Sequence, residues 1–84
     1  MSMKIGEKLR KKLSRKFEPG QMLHQKFGRH DISFKTDEEG NAVILFVGKR
    51  NAEGNIQGER FVRVLTRDIN GTVLKDHWDG KGRT

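Results

Sequence analysis

One five-residue pattern occurs three times in the second half of this chain: Asp37-Glu38-Glu39-Gly40-Asn41, Asn51-Ala52-Glu53-Gly54-Asn55 and Asp68-Ile69-Asn70-Gly71-Thr72. Each opens on Asp or Asn, whose side-chain oxygen can accept the N–H groups of the turn that follows. Each has glycine fourth, where a three-residue hairpin loop needs a left-handed backbone. Three such turns predict four strands, over 31–36, 42–50, 56–66 and 72–78, joined as an antiparallel meander.

In this hairpin the residue before the loop pairs with the one after it, so the turns also predict a register. Propagated from the turns, it puts Ile32, Phe34, Ile44, Phe46, Val62, Val64, Leu74 and Trp78 on one side of the sheet. Those are the residues expected in the core, with Trp78 beside Val62. The other side collects Ser33, Lys35, Val43, Leu45, Val47, Phe61, Arg63, Leu65, Val73, Lys75 and His77, an apolar centre with a basic border. A face of that kind is expected to be covered by residues 21–27, a second copy or a ligand. Gly48 falls opposite Gly58, which predicts a bend or a close approach there.

Before the meander, Ile5, Leu9, Leu13 and Phe17 recur every fourth residue, while Lys4, Lys8, Lys11 and Arg15 form a separate stripe roughly opposite. The spacing predicts an amphipathic helix over 4–17 with Ser2 as its N-cap, stopped by Pro19-Gly20 and lying on the sheet with its apolar stripe. Residues 19–30 read as a connector, either with a short helical turn over 21–27 that ends on Gly28 or extended and docked on the sheet. Residues 79–84 read as a Gly-rich disordered tail. The expectation is thus one small α+β domain spanning 1–84: a basic helix over 1–18, the connector over 19–30, the meander over 31–78 and the tail.

The net charge of +7 is not spread evenly. Residues 1–30 hold nine Lys/Arg against Glu7 and Glu18, and residues 31–84 hold nine against nine. A basic segment on a neutral scaffold suits polyanions: nucleic acid, or an acidic membrane surface. The same lysines also suit a helix face that is merely solvated. Against a membrane role, the apolar stripe of the helix is needed to cover the sheet. No apolar run approaches the ~20 residues of a membrane span, no signal-peptide core opens the chain, and there is no cysteine for disulfides or thiolate metal sites. The expectation is a cytoplasmic protein with no integral membrane association.

Candidate sites follow from these surfaces. Nucleic acid, RNA or DNA, is expected to meet Lys4, Lys8, Lys11 and Arg15, joined from the sheet by Arg63 and Lys75. Phe61, with Arg63, Lys35, Lys75 and His77 nearby, offers one aromatic platform among cations. The alternative is a protein-interaction module or homodimer using Val43, Leu45, Val47, Phe61 and Leu65. His24, His30 and His77 stand in no metal-ligand spacing, and Asp68-Ile69-Asn70-Gly71 is half a calcium loop that the hairpin explains fully. No nucleophile stands with a base and no glycine loop cradles phosphates, so no cofactor and no enzymatic activity are expected.

The segments Gly58-Glu59-Arg60, Lys75-Asp76-His77-Trp78-Asp79 and the preceding Gly48 to Asn55 resemble a group of small uncharacterised bacterial proteins, over about the last fifty residues. That group carries no established activity, so the resemblance implies no site residue.

Overall fold

The three Asx turns close as their chemistry requires in the computed structural model, which describes residues 6–83. Asp37 N–H donates to Asn41 O at 2.9 Å, Asn51 N–H to Asn55 O at 2.8 Å and Asp68 N–H to Thr72 O at 3.0 Å. In each turn the Asx side-chain oxygen accepts the N–H groups of the third and fifth residues. Gly40, Gly54 and Gly71 take φ of 84°, 88° and 84°, conformations that a side chain would resist.

Five strands, not four, make one antiparallel sheet in sequence order: β1 (Met22–Phe27), β2 (His30–Thr36), β3 (Ala42–Arg50), β4 (Ile56–Arg67) and β5 (Val73–Arg83). The extra strand is most of the expected connector. Leu23, Gln25 and Phe27 alternate with Met22, His24 and Lys26 in burial, and the two-residue loop Gly28-Arg29 turns the chain with Gly28 at φ 61°. Gly28 is therefore a hairpin residue rather than a helix cap. The expected tail is likewise a strand: β4 is long enough that Val62, Phe61 and Glu59 pair with Asp79, Gly80 and Arg83.

The expected register holds between β3 and β4, where Ile44 pairs with Val62 and Gly48 with Gly58. It fails in the hairpins on either side. Thr36 pairs with Ala42 but Lys35 with Ile44, so Val43 is an extra residue; Arg67 pairs with Val73 but Thr66 with Lys75, so Leu74 is another. A one-residue bulge reverses which face each later side chain takes. Hence Ile32 and Phe34 share their face with Leu45, Val47 and Phe61, not with Ile44, Phe46, Val62 and Val64. Leu74 is 62% exposed, and Trp78 stands on the core side opposite Arg63 instead of Val62.

Helix α1 (Glu7–Leu13) covers that core face, burying Leu9 and Leu13. It is shorter than 4–17, and residues 1–5, with Ser2, Lys4 and Ile5, lie outside the described residues. The helix stops where Ser14 Oγ donates back to Lys11 O at 2.7 Å, a side-chain bond that competes with further helix. Phe17 still packs on the core, its ring 4.7 Å from that of Phe34, but from an extended segment whose N–H donates to Gly40 O. A Cβ on Gly40 would stand 2.3 Å from Phe17 O, so glycine there also admits the close approach. Thr36 then fixes the link from the helix into β1: its Oγ1 donates to Glu18 O and accepts Gln21 N–H.

Candidate nucleic-acid interface

The expected phosphate-binding residues do not form one surface. On α1, Lys8 and Lys11 are exposed, and Arg15 is exposed just beyond it. With Glu7, Arg10, Ser14 and Asp76, the two lysines border a shallow hollow between the helix and β5. Lys4 lies outside the described residues. Lys75 is exposed on the opposite side of the sheet.

Arg63 belongs to neither surface. Its side chain is only 6% exposed, and Nε and Nη2 donate to the two carboxylate oxygens of Asp76 at 2.7 and 2.8 Å. Nη1 donates to Leu13 O at 3.4 Å and Ala42 O at 3.2 Å, and the guanidinium sits 5.8 Å from the Trp78 ring. Arg63 thus ties the end of the helix to β3 and β5, and phosphates cannot reach it. The hydrogen bond from Arg63 holds the Asp76 carboxyl below its ordinary value despite partial burial, with the charges of Arg63, Arg10 and His77 adding to the effect.

The expected interaction face is corrected by the same bulges. Leu45, Val47 and Phe61 are fully buried beneath α1, and Val43 and Leu65 are half-buried. What the sheet turns away from the helix is Met22, Ile44, Phe46, Val62 and Val64, with His24, Lys26, Lys35, Arg60, Lys75 and His77 interleaved. An aromatic among cations on this open face was expected, and Lys35, Lys75 and His77 are there. But Phe46 and Arg60 fill the places expected for Phe61 and Arg63. Row by row, His24, Ser33, Phe46 and Arg60 run across four strands, and Met22, Lys35, Ile44 and Val62 lie beside them.

The open face is not flat. At the Gly48–Gly58 pair the backbones approach so closely that a Cβ on either would stand 2.0 Å from a carbonyl oxygen of the other strand. Beyond it the β3–β4 hairpin curls over the face. Ile56, although next to the turn, is buried outside the main core cluster. The curl makes a groove of about 470 Å³ between Met22, His24, Ser33 and Phe46 on one side and the hairpin from Asn51 to Gln57 on the other.

In the groove wall His24 Nδ1 lies 2.7 Å from Ser33 Oγ, and Arg50 Nη2 donates to the same oxygen at 3.3 Å. Ser33 is 4% exposed, too enclosed to be presented as a nucleophile, and its hydroxyl links β1 to β3 across β2. Asp31 accepts Arg50 N–H, and Asp79 pairs with His77 at 3.2 Å, so both carboxylates on this face are engaged. Among the described residues no group of His and carboxylates could hold a metal ion, and no helix is long and apolar enough to cross a membrane. Comparison with known proteins returns no match to a family model, a curated protein or a solved structure.

Proposed function

We propose that this chain is a non-enzymatic nucleic-acid-binding protein of the cytoplasm that meets the polyanion through the basic surface of α1 and the residues after it. The supporting observation is the division of labour along the helix. Only Leu9 and Leu13 are committed to the core, while Lys8, Arg10, Lys11 and Arg15 are all exposed within two turns. Closely spaced cations held by a packed scaffold bind phosphates with little regard for base sequence. A membrane surface is a poorer fit. Insertion needs the apolar stripe, and Leu9 and Leu13 are 5% and 0% exposed.

The experiment is fluorescence anisotropy of labelled duplex and single-stranded oligonucleotides over a range of salt, comparing the chain with a Lys8→Ala/Lys11→Ala/Arg15→Ala variant. The expected result is weaker binding to every sequence and a salt slope shallower by roughly 2–3, from about 0.7–0.9 per phosphate contact. Equal affinity and slope in a folded variant would sink the proposal.

A further inference from the structure

We propose that the open face of the sheet seats a single-stranded stretch of nucleic acid, with one base stacked on Phe46 and the neighbouring phosphates held by Lys35 and Arg60. The ligand class rests on the reading above; the surface does not, because it lies on the far side of the sheet from α1. Among the described residues α1 packs on the other face, and the curled β3–β4 hairpin reaches over this one at one end. Phe46 stands in its middle strand, half-buried, with Ser33 and Arg60 directly across from it and Lys35 in the next row. Residues two apart along a strand are about 6–7 Å apart on one face, so these cations flank the ring within the reach of one nucleotide. An aromatic ring among cations on an exposed sheet is what unpaired bases and their phosphates can use, and a duplex, whose base faces are stacked inside, cannot.

The charge on this face selects the occupant. Lys26, Lys35, Arg50, Arg60 and Lys75 are all exposed around an apolar strip of Met22, Ile44, Phe46, Val62 and Val64. The two carboxylates among them, Asp31 and Asp79, are already engaged with Arg50 N–H and His77. A second copy docked about a two-fold axis would set this basic border against its own image, which is repulsive. A polyanion meets it with opposite charge. The curled β3–β4 hairpin adds a wall at one end, where the groove beside Phe46 is lined by His24 and Asn55, which offer polar groups to a base edge.

The test compares a fluorescein-labelled oligo(dT) with a hairpin duplex of equal phosphate count, using three proteins: the full chain, Phe46→Leu and the helix triple variant. Circular dichroism confirms that each is folded. Phe46→Leu keeps an apolar side chain and removes the stacking surface. It is expected to weaken oligo(dT) about tenfold and to leave the duplex unchanged, and Phe46→Trp should restore affinity with its emission quenched on binding. Loss of binding in the helix variant alone would overturn the sheet proposal and leave the helix reading standing. Loss in Phe46→Leu alone would do the reverse. Absence of binding by the full chain would end both. A concentration-dependent dimer abolished by Phe46→Lys, with oligo(dT) indifferent to Phe46→Leu, would assign the face to a second copy instead.

Discussion

Replacing Arg63 by methionine keeps the apolar stem and removes every polar contact of the guanidinium, which makes the cost of losing it calculable. The two bonds to Asp76 are short, but that carboxylate is 40% exposed, so water replaces much of what is lost, leaving about 1 kcal/mol. The bonds to Leu13 O and Ala42 O, at 3.4 and 3.2 Å, are part-buried and add about 1 kcal/mol together. The cation over Trp78 contributes roughly 0.5–1 kcal/mol. The sum is about 3 kcal/mol, reduced to about 2 by burial of the methionine tip. At roughly 4–8 °C per kcal/mol for a domain this small, the midpoint should fall by about 8–16 °C.

Urea unfolding followed by circular dichroism, with an unchanged m-value, measures this loss directly. Asp76→Ala leaves the Arg63 guanidinium, only 6% exposed, with two longer carbonyl bonds and no counter-charge, so it too should destabilise, by about 1–3 kcal/mol. A loss under about 0.5 kcal/mol for Arg63→Met, or none for Asp76→Ala, would refute the view that Arg63 is a tie between helix and sheet rather than a ligand contact.

Two further outcomes follow from the same geometry. Asp76, and Asp37, whose burial is outweighed by bonds from the Asn41 backbone and side chain and the Glu39 N–H, both titrate below their ordinary value. Their contribution is complete above the unfolded pKa of about 3.9 and is lost as pH falls through the lower folded values, so stability should drop below about pH 4 and less steeply in Arg63→Met; equal acid slopes would count against it. Gly58→Ala places a Cβ 2.0 Å from Val47 O and should cost about 3 kcal/mol or more, whereas Gly54→Ala, at φ 88° with open space around it, should cost only about 1–2 kcal/mol; similar values in thermal melts would show that the backbones are not pinched there.

The turns were legible because a local chemical rule sets them: an Asx acceptor, two free positions and a glycine. The register of β3 with β4 followed from the Asn51 turn without error. The faces were not legible, and the reason is β3 itself. Ala42 to Val47 is apolar at every position, so an extra residue at Val43 exchanges one apolar set for another and leaves no mark in the alternation. That exchange moved Phe46 and Arg60 to the open face and Phe61 and Arg63 beneath the helix. The burial of Arg63 had one faint signal, Asp76 in a neighbouring strand, but pairing the two across strands depends on the second bulge. Strand β1 was readable in principle: Met-Leu-His-Gln-Lys-Phe gives a weak alternation, and Gly28-Arg29 before His30 suits a two-residue hairpin. The length of the helix was not, because Ser14 ends it with a bond that an apolar stripe continuing to Phe17 conceals.

Every strand in this sheet has its chain neighbours as its spatial neighbours, and the loops between them are two to five residues long. The chain search needed to assemble such a sheet is short, because each closure brings together segments that are already close. The helix is the exception: Leu13 must find a core that includes Phe61, far along the chain. Sequence separation therefore favours closing the hairpins before their lid arrives. In that interval Phe34, Leu45 and Phe61 lie open on one side while Phe46 lies open on the other, leaving the nascent sheet apolar on both faces. The charges crowded onto α1 keep the late-arriving segment in solution, and keep neighbouring chains apart, until Leu9 and Leu13 settle.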